Sequence, residues 1–226
     1  MRIRIVILAL ALILANGLSA QDPTAPPFDQ AEEDASFLTY RNSLLQAVAD
    51  RDVDAILAKA SEDITFSFGG ASGQSALRAF LQVDAEQLAP EQKHEAPAMR
   101  ERNWAELETV LRLGGVFNEE DAFVAPYTWV ADYPSDMDPF EVLFITADGV
   151  ALRDRPIRFG EVVARLSYDV VTFRNWVTGT QFIEIEMANG TTGFVHRDFA
   201  RFLVDYRATF AKQEGAWKMT SFIAGD

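Results

Sequence analysis

The sequence predicts an α+β protein: a helix-rich N-terminal part, a small barrel of short strands and a C-terminal hairpin. Three observations lead there. Between residues 35 and 82 apolar side chains recur at helical spacing, interrupted by a single alternating run. Between 142 and 195 short apolar runs follow one another, divided by Gly, Asn and Pro. From 206 to 223 two longer alternating runs flank Glu214-Gly215, a pair suited to a tight turn. The boundaries that follow are 1–20 for a signal peptide, 21–33 for a flexible leader, 34–138 for the α+β domain, 139–204 for the barrel and 205–226 for the hairpin.

The first twenty residues have the three-part grammar of a secretory signal. Arg2 and Arg4 are positive, Ile5 to Ala15 is an apolar run, and Leu18-Ser-Ala20 offers small residues for cleavage. The run is shorter than the roughly 20 residues a membrane-spanning helix needs. The expectation is a periplasmic or secreted protein with no membrane insertion after cleavage. Residues 21–33 are Pro-rich and acidic without apolar rhythm, the composition of a flexible leader.

Phe37, Tyr40, Leu44 and Val48 mark the first helix, which Asp50-Arg51-Asp52 ends; Val53, Ile56, Leu57 and Ala60 mark a second. Ile64, Phe66 and Phe68 then alternate as a strand. Gly69-Gly70-Ala-Ser-Gly73 turns the chain into a third helix with Leu77, Phe80 and Leu81. Residues 85–102 read as a surface loop. Asn103 reads as an N-cap, with Glu106 completing a capping box for a helix carrying Trp104, Leu107, Val110 and Leu111. Gly114-Gly115 stops that helix, and 124–130 reads as a strand. In the barrel segment Asn189-Gly190 is the strongest hairpin signal.

Composition excludes several functions. The net charge of −14 would repel a phosphate backbone, so nucleic acid is not a partner. There is no cysteine, which removes disulfides, thiolate nucleophiles and Cys-held metals. Only two histidines exist; His94 sits in a polar loop and His196 directly after a barrel strand, where a hydrogen-bonded structural role is expected. Gly73-Gln74-Ser75 lacks the Lys of a P-loop, and Ser72 lies in no Gly-x-Ser-x-Gly elbow. The acidic runs Asp132/Asp136/Asp138 and Glu119-Glu-Asp121 lack EF-hand spacing and read as solvated loops. No catalytic residue, cofactor or metal is expected.

Two resemblances add to this reading. Val150-Ala-Leu-Arg-Asp-Arg-Pro156, Val162-Val-Ala-Arg-Leu166, Phe182-Ile-Glu-Ile185, Asn189-Gly190 and Gly193-Phe-Val195 resemble the bacterial Src-homology-3-like domain. Asp154-Arg155-Pro156 departs from the family's usual Ser-Gly-Pro, and Asn175-Trp-Val-Thr-Gly179 lengthens a turn. The resemblance implies an extracytoplasmic binding module that attaches to cell-wall peptide or to an envelope protein. It places the contact surface near Arg155, Arg158, Phe159 and Trp176. Arg and aromatic groups suit peptide carboxylates and apolar stems. The plainer readings stay open: Phe159 as core, Trp176 as a barrel cap, the arginines as counter-charges. The paired helices with Asp63-Ile-Thr-Phe-Ser-Phe-Gly-Gly70 and Ser75-Ala-Leu-Arg-Ala-Phe-Leu81 resemble the nuclear-transport-factor-2-like fold, and so does a closing hairpin with Gly215-Ala-Trp217. The hairpin either extends the barrel or returns to the N-terminal sheet, making the barrel an insertion; the second arrangement is favoured. An alternative function follows from the same fold: a small-ligand, hydrolase or isomerase pocket lined by Phe66, Phe68, Trp104 and Trp129. An adaptor with a flat buried face and no pocket is a third.

Overall fold

A computed structural model describes residues 23–66 and 71–225. The segment read as a signal peptide lies outside the described residues, as do Phe68 and Gly69-Gly70. The chain is α+β, with four α-helices and two sheets among the described residues.

Helix α1 spans Ala35–Ala49. Its first turn leaves backbone N–H groups without helical acceptors, and the Asp34 carboxylate takes those of Ser36 and Phe37. Arg51 adopts a left-handed φ of 56°, and Asp52 then caps α2, Val53–Lys59. Strand β1, Ala60–Thr65, follows, and α3 spans Gly73–Leu81. Helix α4 runs over Ala96–Arg112, so the expected N-cap at Asn103 is corrected. Proline is cheap in a first helical turn, where its missing N–H has no acceptor, and Pro97 occupies that turn. Residues 97–102 are mostly exposed, which is why no apolar rhythm announces this half of the helix. Asn103 has a different task. Its amide donates to Phe80 O at 2.7 Å, and Trp104 Nε1 donates to Leu81 O at 3.1 Å, so α4 satisfies two terminal carbonyls of α3.

Strand β2 is Val116–Phe117 and β3 is Phe123–Ala125. The strand expected over 124–130 is shorter because Pro126 has no N–H for the ladder; a 3-10 turn, Tyr127–Trp129, follows it. The second sheet uses β4 (Val142–Ile145), β5 (Val150–Arg153), β6 (Val162–Leu166), β7 (Val170–Trp176), β8 (Phe182–Glu186), β9 (Thr192–His196) and β10 (Ala200–Phe202). The hairpin of β11 (Arg207–Gln213) and β12 (Ala216–Ile223) turns at Glu214 and Gly215, both at positive φ.

The first sheet has the order β1-β12-β11-β3-β2, with β1 parallel to β12. The hairpin therefore belongs with the N-terminal elements, and the seven strands β4–β10 fall between β3 and β11 in sequence. Its core is aromatic: Phe37 packs on Phe123 at 4.2 Å and on Trp217 at 5.0 Å between ring centroids.

The second sheet has the order β10-β4-β7-β8-β9-β5-β6. The sequence leads to an expectation of a closed barrel, whereas the ladder is open, with β6 and β10 at its edges. Closure would need those two strands to pair. β10 has only three residues, and its Phe202 N–H is taken by the Asp205 carboxylate at 3.0 Å instead of by another strand. Leu143, Ile145, Leu152, Leu166, Ile183, Ile185 and Val195 form the core of this sheet. The close approach of β9 to β5 requires glycine at 193, where a Cβ would meet Arg153 O and Leu152 Cγ at 2.8 Å.

Strand β4 is buried throughout. Leu143 and Ile145 face the second core, and Val142 and Phe144 join Ala25, Tyr127, Val170 and Leu203 in a third cluster against Leu113 and Trp129. Residues 23–33, expected to be a flexible leader, lace the two sheets together. Val170 N–H donates to Pro23 O at 2.7 Å and Ala25 N–H to Tyr168 O at 2.8 Å. Asp29 holds Arg41 through both carboxylate oxygens at 2.7 and 2.8 Å. Gln30 N–H donates to Gly115 O, and its side-chain oxygen accepts from Phe117 N–H. Half of these six join backbone groups to each other, which any composition can supply.

Candidate functional site: two concavities on the second sheet

The first concavity is a groove of about 550 Å³ between residues 154–161 and the ends of β8 and β9. Its walls include Val150, Arg153, Pro156, Arg158, Phe182 and Phe199. Several bonds set the loop that overhangs it. Arg153 Nη1 donates to Gly160 O at 2.8 Å, Asp154 N–H to Glu161 O at 3.0 Å and Gly160 N–H to Ile157 O at 3.0 Å. The folded-back chain leaves no room for a Cβ at 160, where it would meet Arg155 O at 2.9 Å. His196 closes one end. Its ring stands edge-on to Phe182 at 5.3 Å, and its Nδ1 accepts from Asp198 N–H at 3.4 Å. It is hydrogen-bonded, as the sequence suggests, and it also lines the groove.

The residues singled out from sequence do not form one site. Arg158 lines the groove. Arg155 lies on the same loop, paired with its neighbour Asp154 at 3.3 Å. Phe159 is 87% exposed, which overturns its reading as core. Trp176 belongs to the second concavity, where it packs on Phe173 and Phe202. Phe182 and Phe199, the apolar floor that sequence reasoning missed, are 17 positions apart on opposite sides of the Asn189-Gly190 turn. Only the register of β8 with β9, in which Phe182 stands opposite His196, brings them together.

The second concavity is a cleft of about 570 Å³ between α4 and β10. At its base Arg201, 5% exposed, sits between two carboxylates. Its Nη1 lies 3.3 Å from Glu106 Oε2, and its Nη2 donates to Tyr206 O. Burial pushes the Glu106 carboxyl above its ordinary range, and the Asp205 charge pushes the same way; Arg201 opposes both. Burial likewise raises Asp205, against the attraction of Arg201. Burial also raises the Tyr206 phenol, and both carboxylates add to that shift. Glu106, read from sequence as half of a capping box, is therefore a wall residue of this cleft.

Of the side chains proposed for a pocket in the N-terminal part, Phe68 lies outside the described residues and the other three are engaged in packing. Phe66 lies on Phe80 and Phe222, Trp104 is buried against α3, and Arg207 covers the Trp129 ring at 3.8 Å. Among the described residues no group of three or more His, Asp or Glu is placed to hold a metal ion, and no helix is long and apolar enough to cross a membrane. Comparison with protein families, curated proteins and solved structures gives no match to this chain.

Proposed function

We propose that this is an exported, non-catalytic binding protein of the cell envelope, and that its second sheet, similar to a Src-homology-3-like module, takes peptide into the groove beside residues 154–161. The observation that carries this reading is the groove itself: a mostly apolar trough with arginine at its rim. Ile157 and Phe159 stand exposed beside it, as do Val162 and Val163 on the edge strand β6. An edge strand has backbone groups that an extended peptide can pair with.

Charge names the peptide class. Residues 151–165 carry Arg153, Arg155, Arg158 and Arg165 against Asp154 and Glu161, within a chain of net charge −14. This local excess of guanidinium favours a peptide bearing free carboxylates, which arginine binds through paired hydrogen bonds. Cell-wall stem peptide, or an acidic segment of an envelope protein, has that chemistry.

The test is retention of the mature chain on purified cell wall, followed by titration with a short carboxylate-bearing wall peptide. Wild type is expected to be retained, and Arg158→Glu to lose at least about tenfold in affinity. Arg158 is exposed, so the substitution leaves the fold intact. A wild-type protein that binds neither the wall nor the peptide defeats the proposal.

A further inference from the structure

The cleft between α4 and β10 has a chemistry different from that of the groove. Three arginines, Arg102, Arg197 and Arg201, line it together with three carboxylates, Glu106, Asp198 and Asp205. The charges balance. An anionic ligand would meet Glu106 and Asp205 at the base, and a cationic one would meet Arg201. An apolar ligand would strip water from all of them without replacing the lost hydrogen bonds. The lining suits a neutral molecule dense in groups that both donate and accept, which is the property of hydroxyl and acetamido groups.

Trp176 supplies the second requirement. It is 57% exposed, unusual for so large an apolar ring, and it lines this cleft. It is nonetheless held from behind: its ring centroid lies 5.3 Å from that of Phe173 and 5.6 Å from that of Phe202, and those two rings stand 5.1 Å apart. A flat aromatic face that is already fixed binds a flat partner with little further loss of side-chain freedom. The C–H faces of a pyranose ring are such a partner, while its edge hydroxyls reach the charged lining.

We infer that the α4–β10 cleft is a subsite for a neutral oligosaccharide, with Trp176 as the stacking platform and Arg201, Glu106 and Asp205 as the hydrogen-bonding base. The volume of about 570 Å³ falls within the range of small-ligand sites. The cleft shares no wall residue with the peptide groove except Asp198, so it stands independently of that reading.

Calorimetric titration of the mature chain with chitotriose and with maltotriose tests this inference. At least one trisaccharide is expected to bind saturably, with Kd in the millimolar range or below. Trp176→Ala should weaken that binding by about tenfold or more, while Trp176→Phe keeps most of it. Arg158→Glu, which disables the groove, should leave sugar binding unchanged. Failure of both sugars to bind the folded wild type overturns the inference, as does unaltered binding by Trp176→Ala. Loss of sugar binding in Arg158→Glu would overturn it too, by moving the site to the groove.

Discussion

Arg201 shows how one residue can hold a boundary. It lies on β10, opposite Phe144 of β4, and reaches Glu106 on α4 and the Tyr206 carbonyl at the entrance to β11. Removing its side chain would leave two partly buried carboxylates without their cation, which is the costly way to break an ion pair. The carboxylates carry a pH signature. Both have folded pKa values above their ordinary ones, so between the ordinary carboxylate range and the raised values the folded state binds more protons than the unfolded chain. Their contribution to stability therefore falls as pH rises through that window. In a series of thermal melts, Glu106→Gln should show a shallower decline of Tm with rising pH than wild type; an identical slope would mean that Glu106 is not the titrating group. Glu106 could be read from sequence as a helix residue, but not as a neighbour of Arg201, 95 positions away. The four residues picked out for binding share the second difficulty. Their type was informative, and their grouping depended on which loop faces which strand.

At the level of elements, periodicity identified whatever had one dry and one wet face. The first three helices, the alternating strands β5, β8 and β9 and the closing hairpin have that character. It failed where an element lacked it. The first half of α4 is polar and mostly exposed, so it read as a loop until the apolar stripe began near Trp104. Strand β3 ended early at a proline inside an apolar run. Closure of the second sheet was not legible either, because alternation tells which face is buried and not whether the two edge strands meet. The β5–β9 contact offers a test of this packing. Gly193→Ala places a methyl group against Leu152 and the Arg153 carbonyl, and overpacking of this kind costs about 2 kcal/mol. Chemical denaturation should show that loss; a variant as stable as wild type would show that the strands can move apart freely.

Across the whole molecule the two sheets communicate through β4, the Arg201 pair and residues 23–33. That last segment satisfies backbone groups on both sheets and buries Ala25 and Ala31. Deleting residues 21–33 should lower Tm by at least about 5 °C, since several kcal/mol of contacts go with them and each shifts a protein of this size by roughly 2–4 °C. An unchanged Tm would show that the lacing adds nothing to stability. The sequence could not announce this segment, because main-chain pairing leaves little trace in composition.

The parallel pairing of β1 with β12 has a temporal consequence. β12 supplies the neighbour of the first strand, with Ala60 standing opposite Met219, so this pairing has to close a very long loop of chain. Until that loop closes, β1 lacks its ladder partner and the aromatic interior lacks Trp217 and Phe222. Long-range pairings of this kind form slowly, which makes the joining of β1 to β12 a late step in folding.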